Sequence, residues 1–117
     1  MSKTLVSSLF VLCFLGSAAV AQETVKVSMK DGDLGFKEMT IKGETRFNIE
    51  NAGTRDHAFE IEGEIGGQDI EVSSRVLKPG QNTVFIVKLP PGTYDAYCPV
   101  DDHREKGMAA KLTSAGG

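Results

Sequence analysis

The chain has 117 residues, 25% of them charged and 40% apolar, with 13 Lys and Arg against 16 Asp and Glu for a net charge of −3. This is the balance of one ordinary globular domain, which excludes collagen-like, low-complexity and wholly disordered classes. The acidic balance leaves no footprint for nucleic acid, and two cysteines are too few for a disulfide scaffold.

In chain order, Lys3 is followed by a mostly apolar run, Leu5 to Leu15, and by the small residues Ala19-Val20-Ala21 before Gln22. That is the pattern of a cleaved secretory signal peptide, residues 1–21. The run is too short to span a bilayer comfortably, so no stable membrane insertion is expected. Removing 21 of the 117 residues leaves a mature chain 22–117 of 96 residues, and the loss of Lys3 takes its net charge to −4. A chain of that length can bury an adequate core unaided. Cys13 leaves with the leader, so the mature chain enters a periplasmic or otherwise exported location with one cysteine, Cys98. A lone thiol in an oxidising compartment needs something to hold it.

The mature chain reads as short alternating stretches between turn residues. Thr24–Ser28 alternates and meets the turn Lys30-Asp31-Gly32-Asp33. Phe36–Ile41 stops at Lys42-Gly43, and Thr45–Glu50 stops at Asn51-Ala52-Gly53. Ala58–Glu62 alternates after a turn Asn51–Asp56, with His57 opening the strand. Ile70–Leu77, Thr83–Leu89, Thr93–Cys98 and Met108–Thr113 follow, separated by Pro and Gly. A helical turn or two is conceivable only at Asp102–Lys106. Seven or eight strands of about five residues, with turns every 8–12, predict an all-β sandwich. Val25, Val27, Phe47, Ile49, Phe59, Ile61, Val84, Ile86 and Leu112 form the expected inward set.

Near the C-terminus the chain reads PGTYDAYCPVDDHREKGM, placing Cys98, His103 and Met108 five residues apart and five again. Five residues advance about 500° around a helix, so the three would leave on different faces. On a straight strand each step spans about 17 Å. A loop closing back on itself can bring them together. Pro99 and Gly107 flank such a loop, one setting the exit from a strand and the other permitting an unusual turn. Thiolate, imidazole and thioether are soft or borderline ligands, and one cysteine, two histidines and a weak axial methionine make a blue-copper electron-transfer set. The second histidine can only be His57, the sole other one in the chain. The plainer alternative is a capping His57, a small buried Cys98 and a core Met108.

NAGTRDHAFEI together with PGTYDAYCPVDDHREKGMAAKL resembles the cupredoxins, the single-domain blue copper proteins such as auracyanin, rusticyanin and plastocyanin. The Cys-x4-His-x4-Met spacing is most similar to the auracyanin, rusticyanin and phytocyanin type. The resemblance implies a Greek-key β-sandwich with one type 1 copper at one end. It implies His57, Cys98 and His103 as strong equatorial ligands and Met108 as the axial one. It also implies a monomer that shuttles single electrons between larger redox proteins, such as cytochromes or oxidases, in transient contacts near the C-terminal histidine. The chain departs from the pattern twice. Ala58 follows His57, where many relatives carry an Asn or Ser that ties two ligand loops, and alanine cannot make that bond. Asp101-Asp102 precede His103, where relatives often carry Pro-Gly or apolar residues, so a charged docking surface favouring basic partners is expected.

A copper chaperone, scavenger or sensor in the periplasm could use the same four ligands. A non-enzyme is expected, because a Cys98 nucleophile with a histidine base leaves Met108 and the strand-loop-strand setting unexplained. One loop cysteine and two histidines also exclude a dinuclear copper centre and a multicopper oxidase.

Overall fold

The computed structural model describes residues 23–117, so the expected signal peptide lies outside the described residues. Eight strands follow in order: β1 Glu23–Met29, β2 Glu38–Ile41, β3 Thr45–Asn51, β4 Glu60–Ile65, β5 Gln68–Ser73, β6 Asn82–Val87, β7 Gly92–Tyr97 and β8 Ala109–Ser114. They form a three-stranded sheet, β1-β3-β6, and a five-stranded sheet, β2-β8-β7-β4-β5. The described residues contain no helix, and Asp102–Lys106 is a run of turns. The all-β sandwich expected from the spacing is what the chain forms.

β1 runs parallel to β3, and β2 parallel to β8; the other pairings are antiparallel. The chain therefore changes sheets between β1 and β2, through the turn Lys30–Asp33. That turn is closed by reciprocal backbone bonds between Lys30 and Asp33 of 2.8 and 3.0 Å.

The core lies between the sheets. Phe47 of β3 stacks near Phe59 and Phe85, with ring centroids 5.5 Å away in both cases, and Phe36 reaches Phe59 at 6.2 Å. Offset, tilted rings at such distances are favoured by the ring quadrupole. Val27, Met29, Leu34, Ile41, Ile49, Ile61, Leu77, Tyr94 and Leu112 are among the residues buried around them. Burying each large apolar side chain contributes about 1.5–3 kcal/mol.

Two residues of the expected inward set face solvent instead: Val84 is 43% and Ile86 49% exposed. Val25 is half-buried. The register explains the correction. Phe85 lies directly opposite the buried Phe47, so Phe85 points inward with Thr83 and Val87, and Val84 and Ile86 point out. A strand apolar on both faces carries no period-two signal to phase it, and a slip of one residue inverts every side chain.

Two boundaries also differ. β4 begins at Glu60, not at residue 57, because His57 makes only an isolated bridge to Leu77. The stretch Ile70–Leu77 divides into β5, ending at Ser73, and a separate segment carrying Leu77. Both breaks occur at the end of the sandwich where the chain leaves regular pairing to build the site.

Candidate metal centre

Three loops meet at that end: the turn 30–33, the segment 51–57 and the loop 98–108. The last is the most local. Backbone pairing between β7 and β8 extends one step further, where the Cys98 N–H donates to the Met108 carbonyl at 3.1 Å. The residues between them form a closed set of turns. His103 N–H donates to Val100 O at 3.0 Å, and Met108 N–H returns to His103 O at 3.1 Å. Gly107 has φ of 110°, and a side chain there would press on the Gly32 carbonyl at 3.0 Å. Only glycine adopts that backbone without strain. Asp101 at φ 46° takes a left-handed conformation that aspartate tolerates better than most residues.

The outer end of the loop is tied down by Arg104. Its guanidinium lies 3.9 Å from the centroid of the Tyr97 ring and within 4 Å of carboxylate oxygens of Glu62 and Asp95. The Tyr97 hydroxyl donates to Glu60 and Glu62 at 2.9 and 2.6 Å. Burial and these carboxylates push the phenol well above its ordinary value, so it stays a donor. Glu60 and Glu62 of β4 thus hold Tyr97.

His57 arrives from the other direction. Asn51 anchors its segment: the side-chain amide donates to the carbonyls of Arg55 and Leu77 at 2.7 and 2.8 Å, and its oxygen accepts from Gly53 N–H at 2.9 Å. These bonds fix the His57 segment to itself and to Leu77. Ala58 contributes through its backbone, its N–H pointing at Cys98 Sγ at 3.5 Å. His57 itself is fully buried.

The result brings together donor atoms of residues 41 and 46 positions apart. Cys98 Sγ lies 3.8 Å from His57 Nδ1 and 3.5 Å from His103 Nδ1, and the two Nδ1 atoms are 3.2 Å apart. A first-row ion bound at about 2.0–2.1 Å by nitrogen and about 2.3 Å by sulfur spreads its donors about 3.3–3.8 Å apart in trigonal or tetrahedral geometry. The donor triangle therefore has the size of a single-ion site. Its composition, one thiolate and two imidazoles, suits copper. Met108 is fully buried at the foot of the same loop, with its main chain paired to Cys98. His57, Cys98, His103 and Met108 together fit a type 1 copper ion.

The site differs in access on its two sides. Cys98 and Met108 are buried, whereas His103 is half-exposed beside Val100 and near Val76, which is 51% exposed. Burial pushes the Cys98 thiol up, against smaller opposing effects of the Ala58 and Val100 N–H groups. Above the histidines an open depression of about 250 Å³ is lined by Asp31, Gly32, Arg55, Asp101, Asp102 and Lys106 among others.

One residue of the site carries no signal in the linear reading. Asp31 Oδ1 lies 2.9 Å from His57 Nε2, the ring nitrogen turned away from the donor triangle. Its carboxyl is held well below the usual carboxylate range, first by the Thr54 hydroxyl, then by His57 and by the backbone N–H groups of Thr54 and Arg55. Lys30-Asp31-Gly32-Asp33 reads in sequence simply as a turn, and only the fold reveals what the aspartate faces.

Comparison with known proteins agrees with this architecture. Residues 4–112 match the family model described as a cupredoxin-like domain. The chain is similar in structure to dithionite-reduced auracyanin from the photosynthetic bacterium Roseiflexus castenholzii (TM-score 0.71, 18% identity, 81% of this chain and 98% of that one covered). It is also similar to auracyanin A, a "blue" copper protein from the green thermophilic photosynthetic bacterium Chloroflexus aurantiacus (TM-score 0.68, 14% identity, 80% and 99% covered). An oxidised Met-to-Leu variant of amicyanin aligns at TM-score 0.59 and 19% identity, covering 84% and 88%. No curated protein sequence gives a match. At these identities the structural likenesses establish the shared fold, and the family model, spanning nearly the whole chain, establishes membership: the chain belongs to the cupredoxin-like domain family.

Proposed function

We propose that the chain is an exported mononuclear blue copper protein that passes single electrons between larger redox proteins. His57 Nδ1, Cys98 Sγ, His103 Nδ1 and the Met108 thioether would hold the ion. The observation that carries this reading is the donor triangle, with all three edges between 3.2 and 3.8 Å. Copper, when bound, supplies a one-electron couple between Cu(II) and Cu(I).

The chain's own residues do the rest. Asn51, Leu77 and the Cys98–Met108 pairing hold the donors in place before any ion arrives, so little rearrangement accompanies a change of charge. The buried sheet ends exclude water from Cys98. His103, half-exposed at the loop tip, gives the short route between the site and a partner. Its surroundings combine the apolar Val76 and Val100 with Asp101 and Asp102, which suits a small transient contact with a basic partner.

The test is an optical and electron paramagnetic resonance spectrum of residues 22–117 after adding Cu(II). An intense blue thiolate-to-copper band with narrow copper hyperfine splitting, lost in Cys98→Ser, is the expected result. A weak ordinary cupric spectrum would overturn the assignment. Fast reversible exchange with a cytochrome separates the carrier from a periplasmic copper chaperone, scavenger or sensor, which would instead release Cu(I) to an acceptor apoprotein.

A further inference from the structure

His57 uses both ring nitrogens. Nδ1 faces Cys98 and His103, and Nε2 faces the Asp31 carboxylate at 2.9 Å. Asp31 comes from the turn after β1, 26 residues earlier in the chain, and is held from the other side by the residues just before His57. Thr54 N–H donates to its two oxygens at 3.0 and 3.2 Å, the Thr54 hydroxyl to Oδ2 at 2.5 Å, and Arg55 N–H to Oδ1 at 3.3 Å. Gly53 leaves the space that makes this possible. A side chain there would strike Asp31 Oδ1 and, at 2.9 Å, His57 Nε2 itself. Three consecutive residues thus fit around one carboxylate, and that carboxylate fits one ring nitrogen.

The chemistry of the contact is restrictive. A carboxylate accepts, so Nε2 must donate, and a neutral imidazole with its proton on Nε2 presents a lone pair at Nδ1. The carboxylate also leaves a negative charge one imidazole ring away from the donor triangle. A fixed anion there favours the more positive state of a bound ion, and polarising the ring strengthens Nδ1 as a donor in the same direction. Solvent reaches the outer side of Asp31, whose side chain is 39% exposed, which limits the effect without abolishing it.

We propose that Asp31 is a positioning residue of the copper centre, fixing His57 as the Nε2–H tautomer and lowering the centre's reduction potential through its charge. The inference rests on the copper reading above. It assigns the tuning of this site to a side chain outside the four ligands and to a loop that supplies no ligand.

The experiment measures the midpoint potential of the copper-loaded full chain in three forms: unaltered, Asp31→Asn and Asp31→Ala. Asn keeps an oxygen that can accept from Nε2 and removes the charge, whereas Ala removes both. Asp31→Asn is expected to raise the potential by the equivalent of about a tenfold shift toward Cu(I), which is 59 mV for one electron. Asp31→Ala is expected to match that rise and to broaden the copper hyperfine pattern as His57 loses its orientation. A second measurement needs no variant. In the metal-free protein, nitrogen-resolved NMR should show His57 as the Nε2–H tautomer with a slowly exchanging proton. Shifts in potential equivalent to less than about twofold in the equilibrium in both variants, or a His57 proton on Nδ1, would overturn the proposal, and the NMR result stands even if a variant fails to fold. Absence of a blue band from the unaltered chain would overturn the copper reading and this inference together. A blue centre indifferent to Asp31 would overturn this inference alone.

Discussion

The two histidines of the donor triangle are chemically identical and structurally opposite. His57 is fully buried, bridges Leu77 through its backbone at both N–H and C=O, and turns its second nitrogen to a carboxylate. His103 sits half-exposed in a loop of turns, five residues from Cys98. The first is part of the folded framework and the second is part of the protein's surface. What differs is the number of independent segments that hold each ring: the turn 30–33, residues 51–55 and Leu77 for His57, against one loop for His103. A redox site needs both kinds of ligand, because a donor that holds geometry rigidly is poorly placed to meet a partner.

Replacing each histidine by alanine should break the symmetry of the ligand set most visibly. His57→Ala empties a buried site and leaves the Asp31 carboxylate facing a cavity. It should remove blue absorption and cost the metal-free fold about 2–3 kcal/mol, read from denaturant midpoints. His103→Ala should also remove the blue band but cost the metal-free fold less than about 1 kcal/mol, as expected at a partly exposed loop position. Added imidazole should restore a blue centre only in His103→Ala, where solvent reaches the vacated place. Equal stability losses, or equal rescue, would dissolve the distinction between the two ligands.

Gly53→Ala attacks His57 without touching it. The new methyl would meet the Asp31 carboxylate and His57 Nε2, and the backbone N–H of Asp31 at 2.9 Å. Overpacking of that kind costs about 1–3 kcal/mol. The expected outcome is weaker copper binding, read by competition with a chelator, while the His103 loop keeps its shape. The same substitution at Gly107 would act on the other side, since its φ of 110° and the nearby Gly32 carbonyl belong to the loop 98–108.

The two halves of the site were unequally legible in the amino-acid sequence. Cys98, His103 and Met108 lie within eleven residues bounded by Pro99 and Gly107, so spacing and turn chemistry alone require a closed loop. His57 follows by counting, because no other histidine exists. Asp31 follows from nothing local: its contact with His57 spans 26 residues and depends on a change of sheet between β1 and β2. The fold behaves the same way. Alternating stretches such as Thr45–Asn51 reveal their buried face, whereas β6, apolar on both sides, gave no phase, and Val84 and Ile86 turned outward because Phe85 pairs with Phe47. The Ala58 side chain cannot tie the ligand loops, and the one contact it does make across them, its backbone N–H to Cys98 Sγ, is invisible to a reading of side chains, as is the anchoring of the His57 segment by Asn51, which reads in sequence as a turn former.

Cys98 lies between the two histidines, and pH separates its two states. Burial holds its thiol above the ordinary value of 9.0, so the metal-free fold gains stability that is fully present below that pH and lost as pH rises through the elevated value. Tyr97, also raised by burial, adds a loss in the same direction at still higher pH. Copper acts oppositely, because it requires the thiolate: binding releases the Cys98 proton, and affinity should fall about tenfold per pH unit below neutrality from that proton alone. Alkaline melting curves of metal-free protein should therefore flatten in part in Cys98→Ser. Unchanged curves would mean that the thiol is not held in its neutral form.

The smallest effect concerns the surface around His103. Asp101 and Asp102 are exposed beside it, while Arg104 is committed to Tyr97, Glu62 and Asp95, and Lys106 pairs with Asp102 at 3.4 Å. The loop thus presents Asp101 with a carboxylate of low net effect behind it, and the overall charge of the chain is negative. Steering of a basic partner by such a surface changes the rate of encounter more than the strength of the complex. Exchanging both residues for Asn preserves the left-handed backbone at Asp101, since Asn adopts it as readily. The double variant should keep its blue band but lose a few-fold in bimolecular electron exchange with a basic cytochrome at low salt, converging with the unaltered protein as salt screens the charges. A rate unchanged at every ionic strength would assign docking to the apolar Val76 and Val100 instead. His103 would then meet its partner through burial of apolar surface, and its contrast with His57 would be one of access alone.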